Sequence, residues 1–141
     1  MAYLNLLFSI PSERLSDCTS WESLRTIATY STGCSRLIGY WVQFEPLNEV
    51  LGRVLDGGST LHPRWEHKLR VPTYHSPAEV VALAKSFENV WQQAIDKYSE
   101  LSNDDWWRIE IEKCLSVFQF AANSGEAVVS ILEQSRFVDE E

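Results

Sequence analysis

Basic residues are in short supply: twelve Lys and Arg stand against twenty Asp and Glu, a formal charge of −8 that repels phosphate backbones and argues against a nucleic-acid partner. Cysteine is scarce too. Cys18, Cys34 and Cys114 are odd in number and show no C-x-x-C spacing, so reduced thiols are expected. No hydrophobic run is long enough to span a bilayer, and the apolar start MAYLNLLFSIP has neither a positive leader nor a small-residue cleavage site. A cytoplasmic protein with no membrane partner is the expectation. Catalytic signatures are missing as well: there is no G-x-S-x-G nucleophile turn, and neither G-x-x-x-x-G-K nor G-x-G-x-x-G for phosphate. Nor is there an internal repeat, a low-complexity tract or a linker.

Apolar residues, by contrast, are plentiful. With 45% hydrophobic and 12% aromatic residues, a chain of 141 residues can build one real core, and a single α+β domain over 1–141 is expected. The clearest instruction lies in residues 103–132, NDDWWRIEIEKCLSVFQFAANSGEAVVSIL. Trp107, Ile111, Cys114, Leu115, Phe118, Ala121 and Ala122 recur at helical spacing, and Trp106, Ile109, Val117 and Phe120 widen the stripe. A helix apolar over so much of its girth should be covered on more than one side. Ser102 or Asn103 can cap it, with Asp104 and Asp105 where the helix dipole favours negative charge. Asn123-Ser124-Gly125 then supplies a positive-φ turn, and Ala127 to Leu132 has the pattern of a buried strand.

Earlier in the chain, Tyr3 to Ile10 predicts a strand that ends at Pro11 and pairs with 127–132. A short helical turn after Pro11 and a helix capped by Thr19 or Ser20 follow, with Thr29 to Ser35 a loop. Leu47, Val50, Leu51, Val54 and Leu55 predict a helix from about Pro46 to Leu55, stopped by Asp56-Gly57-Gly58-Ser59; residues 36–45 suit strand or helix equally. Thr60 to Tyr74 has the composition of a long loop with a short strand near Leu69 to Val71. Ser76-Pro77-Ala78-Glu79 then opens a strong helix to about Ser99, combining a serine cap, proline at the first position and glutamate three residues after the cap. Two long amphipathic helices joined by a few residues should pack as an antiparallel hairpin. The expected fold is a small sheet of the N- and C-terminal strands against several helices, including that hairpin.

This order of pieces resembles the YfbM-like family of small bacterial domains of unknown function. The strand and polar helix start of Tyr3 to Leu15, the aromatic-rich segment and glycine stop of Trp41 to Gly58, the helix opening Ser76 to Val80 and the helix-turn-strand of Phe118 to Leu132 carry the resemblance. Here Ser99 to Asn103 is all that joins the last two helices, where the family has a longer segment. The resemblance implies an α+β domain with no catalytic residues to transfer, and a genomic context beside secreted toxins, in the position of immunity proteins.

Among side chains able to bind metal, His62, Glu66 and His67 cluster in the 60–74 segment, with His75 further on. Two histidines five apart with Pro63 between them do not share a helix face, so no metal or other cofactor is expected. Arg64, His67, Lys68 and Arg70 make this segment a basic island that can answer the protein's own acidic helices. Six tryptophans are present; Trp91 and Trp107 lie on apolar stripes, whereas Trp65 and Trp106 stand beside acidic residues, as on a surface for a basic partner.

The function expected is therefore that of a noncatalytic immunity protein that occludes a cognate, basic protein toxin. Trp65, Glu66, Glu100, Asp104, Asp105 and Trp106 are the expected contact residues. Two alternatives stand beside it: a metal-binding or hydrolytic enzyme using His62, Glu66, His67 and His75, and a phage or regulatory inhibitor of a host protein. The oligomeric state is not legible in the sequence.

Overall fold

The computed structural model describes residues 3–35, 44–61, 65, 71–97 and 106–134, apart from the side chains of Trp107 and Gln134. Its central ladder joins β1 (Tyr3–Ile10) to β5 (Ala127–Gln134), antiparallel, from Tyr3 opposite Gln134 to Ile10 opposite Ala127. This is the expected pairing of the two terminal strands, with β5 running two residues past Leu132. β2 (Tyr30–Ser35) extends the sheet beyond β1, while β4 (Thr73–His75) and then β3 (Ser59–Thr60) extend it beyond β5. The order is β2-β1-β5-β4-β3, antiparallel throughout.

Alternation along the strands divides the core in two, because successive side chains point to opposite faces. Leu7, Cys34 and Val128 face a layer of three helices: α2 (Glu45–Asp56), α3 (Pro77–Lys97) and α4 (Trp106–Ser124). Phe8, Ile10, Val129 and Ile131 face the other way, onto a thinner layer made by a 3-10 turn (Ser12–Asp17), α1 (Trp21–Ile27) and Trp65. Both faces of the sheet are thus apolar.

Each helix is delimited by chemistry visible in its ends. Ser20 and Ser23 form a reciprocal capping box at α1. At α3 the Glu79 N–H donates to Ser76 Oγ at 3.3 Å and the Ser76 N–H donates back to Glu79 Oε1 at 3.2 Å. Ser76→Ala should therefore cost about 1 kcal/mol, and Tm should fall by roughly 3 °C in a thermal melt. α4 ends at Gly125, φ 68°, where the Glu126 N–H reaches Ala121 O and the Gly125 N–H reaches Ala122 O, closing the last turn. α3 and α4 pack together as the expected hairpin, with Gln119 Nε2 donating to Glu88 Oε1 at 2.8 Å on its outer side.

The last carbonyls of α2 end against the sheet, not in water. Ser130 Oγ donates to Leu55 O at 2.9 Å, and Asn5 Nδ2 lies 3.4 Å from the same oxygen. His75 Nε2 is 3.0 Å from Arg53 O; a carbonyl only accepts, so this ring nitrogen carries a proton. Asn5, Ser130 and His75 are buried polar residues for this reason.

Two expectations are corrected. Tyr30–Ser35 is a strand, not a loop: its polar, glycine-containing sequence carries no strand signal, but every residue from Tyr30 to Ser35 has a partner in β1. Gly33 belongs there because Leu6 lies over it, and an added Cβ would sit 3.1 Å from Leu6 Cδ2. Thr73–His75 is likewise a strand, where a loop is expected through Tyr74, while the strand expected near Leu69 to Val71 rests on residues 69 and 70, which lie outside the described residues. Glu45 opens α2, so that end of the ambiguous 36–45 segment is helical, while 36–43 lies outside the described residues. The caps expected at Ser102 or Asn103 do so too. Among the described residues, no helix is long and apolar enough to cross a membrane.

Candidate functional site

The described surface exposes five large hydrophobic side chains: Tyr30, Val71, Val81, Trp106 and Ile109. Three of them gather at one edge of the fold. Trp106 and Ile109, three residues apart, share a face of the first turn of α4 and are each 45% exposed. Ile109 and Tyr30 then line an open groove between α4 and the edge strand β2, completed by Thr32, Arg108, Glu112, Lys113 and Ser116. The Tyr30 ring is held in place by stacking on Phe120, with centroids 5.0 Å apart and planes at 22°. A second groove, lined by Phe8, Arg25, Ala28, Thr29, Tyr30 and Ser31, also includes Tyr30.

Charges in the first groove are balanced along α4 itself. Arg108 Nε lies 3.1 Å from Glu112 Oε1, and Lys113 Nζ lies 3.1 Å from Glu110 Oε2. Local pairs of this kind are worth a few tenths of a kcal/mol each, so they shape the groove more than they stabilise the helix. The arrangement offers contact area: two exposed apolar side chains on a helix and a fixed tyrosine on a strand.

The residues expected at a contact surface separate into three groups. Trp106 is exposed at the start of α4. Trp65 is not: it is 6% exposed and packs edge-to-face on Trp21, with centroids 6.4 Å apart at 76°. It fills the thinner layer beneath Phe8 and Ile10, where the described residues add only the 3-10 turn and the short helix α1. Its ring is core and offers no contact surface. Glu66, Glu100, Asp104 and Asp105 lie outside the described residues.

For the metal or hydrolytic alternative, His62, Glu66 and His67 also lie outside the described residues. His75 is a buried strand residue rather than a loop ligand, with Nε2 on Arg53 O and Nδ1 3.4 Å from Glu79 Oε2. No group of three or more His, Cys, Asp or Glu among the described residues is placed to hold a metal ion. The Glu79 carboxyl is held below its usual range, chiefly by the Ser76 N–H, then by the Ser76 hydroxyl and more weakly by His75. A general acid needs the opposite shift. Because its folded value is lowered, Glu79 contributes stability that is complete at neutral pH. That contribution is lost as pH falls from the ordinary glutamate range through the folded value. Acid titrations of wild type and Glu79→Gln should show a shallower acid limb in the variant.

Tyr30 and Ile109 are the functional candidates the sequence pattern hid. Apolar period alone places Ile109 in the wide stripe of α4 among residues to be covered, and the sequence of 29–35 predicts a loop at Tyr30.

No known family model and no curated protein matches the sequence. Among solved structures, the crystal structure of YfbM from Escherichia coli, a protein of unknown function, is similar over 91% of this chain and 98% of that one, with a TM-score of 0.50 at 10% identity. The likeness is one of fold.

Proposed function

We propose that the protein is a noncatalytic interaction protein whose β2–α4 edge binds another protein, in the manner of an immunity protein occluding a basic toxin. The observation behind this reading is the gathering of Trp106, Ile109 and Tyr30 at one edge of a chain with net charge −8. Exposed aromatic and aliphatic side chains supply the desolvated centre of an interface, and surrounding negative charge speeds encounter with a basic partner. Asp104 and Asp105, next to Trp106 in sequence, and Glu100 would provide part of that charge. The toxin context itself comes from the resemblance to YfbM-like domains, and the reading keeps the protein in the cytoplasm, where a toxin would act. Inhibition would be steric: a pre-folded surface covers the partner's working surface and needs no chemistry of its own.

The test is to mix the purified protein with the product of the neighbouring gene. Co-elution in size-exclusion chromatography, with rescue of cells expressing that product, is the expected result. Separate elution without rescue would refute the toxin assignment.

A further inference from the structure

β2 ends the sheet. Among the described strands it is laddered only to β1, so the backbone N–H and C=O groups of its other edge meet no strand. Proteins usually guard such an edge with lysine, proline or an inward-pointing charge. The sequence Tyr-Ser-Thr-Gly-Cys-Ser has none of these. Cys34 and Ser35 are buried, so the accessible part runs from Tyr30 to Gly33, two exposed residues followed by two half-buried ones.

The two grooves that share Tyr30 flank this edge on opposite faces. Register fixes which is which: Thr32 lies opposite Leu7, on the side of the three helices, and Ser31 lies opposite Phe8, on the side of α1. Ile109, Thr32 and Ser116 line the first groove, Arg25 and Ser31 the second. An extended segment laid along β2 would send alternate side chains into each. The two receiving surfaces differ in chemistry. On the α4 side Ile109 is exposed and the charges are paired within the helix, which suits an apolar side chain. On the α1 side the Arg25 guanidinium lies over the Trp21 ring, 5.2 Å from its centroid, and has no carboxylate partner among the described residues. A guanidinium stacked by its face keeps the N–H groups at its rim for a carboxylate.

We propose that β2 accepts an extended segment of the partner protein as an added strand, with apolar side chains over Ile109 and, between them, an acidic side chain on Arg25. The backbone ladder supplies affinity and the two grooves supply specificity. This inference rests on the proposed function for the choice of edge, and adds the form in which the partner meets it. The acidic preference is local. A net charge of −8 draws a basic partner at long range, whereas at contact Arg25 selects a carboxylate. Field and contact therefore make opposite predictions for a short peptide, since the field alone favours lysine.

Capped synthetic peptides of sequence Thr-Val-Xaa-Val-Thr, with Xaa either glutamate or lysine, are titrated into the isotope-labelled full chain and followed by NMR. The glutamate peptide should shift the backbone amides of Tyr30 to Gly33 and bind roughly fivefold tighter than the lysine peptide. Arg25→Ala, at an exposed position, should erase that ratio. N-methylation along the glutamate peptide, which removes its backbone donors, should abolish binding. No shift in β2 at millimolar peptide would overturn the proposal, as would a lysine peptide that binds equally or better, or an N-methylated one that binds unchanged. The neighbouring gene product is absent from this titration, so the two readings fail separately. Co-elution with that product but no peptide on β2 would sink the added strand alone; a peptide on β2 without co-elution would remove only the toxin assignment.

Discussion

Trp106→Ala combined with Ile109→Asp should weaken the complex with the partner protein by on the order of 100-fold, as judged by isothermal titration calorimetry. Central aromatic and aliphatic contacts in an interface commonly cost 2 kcal/mol or more when removed, and about 1.4 kcal/mol is tenfold in affinity. A charge placed in the apolar centre adds a desolvation penalty. The fold should tolerate the change. Both side chains are 45% exposed, and Ile109 lies in the first turn of α4, where an added carboxylate is favoured by the helix dipole. Val81→Asp, at another exposed apolar position on α3, serves as the control and should bind as wild type. Wild-type affinity in the double variant would remove the β2–α4 edge from consideration, even if a complex with the neighbouring gene product exists.

A different kind of loss is expected from Phe118→Ala. Phe118 is fully buried where α4 meets the sheet, within the larger core cluster and with the His75 ring 6.1 Å from its own. Removing a buried phenylalanine costs about 3–5 kcal/mol, transfer and cavity terms together, against total stabilities of about 5–15 kcal/mol. A chain of this size should lose on the order of 10 °C in Tm. Phe120, two residues on and only half-buried, stacks on Tyr30 and makes the informative contrast. Phe120→Ala should cost far less stability but release the Tyr30 ring. If the two variants melt alike, the division of α4 into a buried side and a groove side is mistaken.

That division explains which parts of the molecule were legible in the sequence. Helices with strong ends and long stripes were readable, because a serine with a glutamate three residues on, or a glycine after the last apolar position, acts locally. The pairing of Tyr3–Ile10 with Ala127–Gln134 was readable from apolar content. β2 was not, since Tyr-Ser-Thr-Gly-Cys-Ser becomes a strand only through the partner it finds in β1. Trp65 departs from its sequence expectation for a related reason: a tryptophan among prolines and charges suggests solvent, and its burial depends on packing with Phe8, Ile10 and Trp21, which are distant in sequence. At Ile109 the error ran the other way. Apolar periodicity marks a side chain that could be buried, but whether a neighbour arrives to bury it is decided by the rest of the fold.

The middle of the sheet is built from residues 3–10 and 127–134, the strands most distant from each other along the chain. A ribosome therefore releases β1 long before its central partner exists. Helices α1 to α4 can fluctuate and dock on one another in the meantime, but no sheet can close around them until β5 has left the exit tunnel. Closure of the central ladder should thus come late in folding, with β1 paired only to β2 among the described strands until β5 is available.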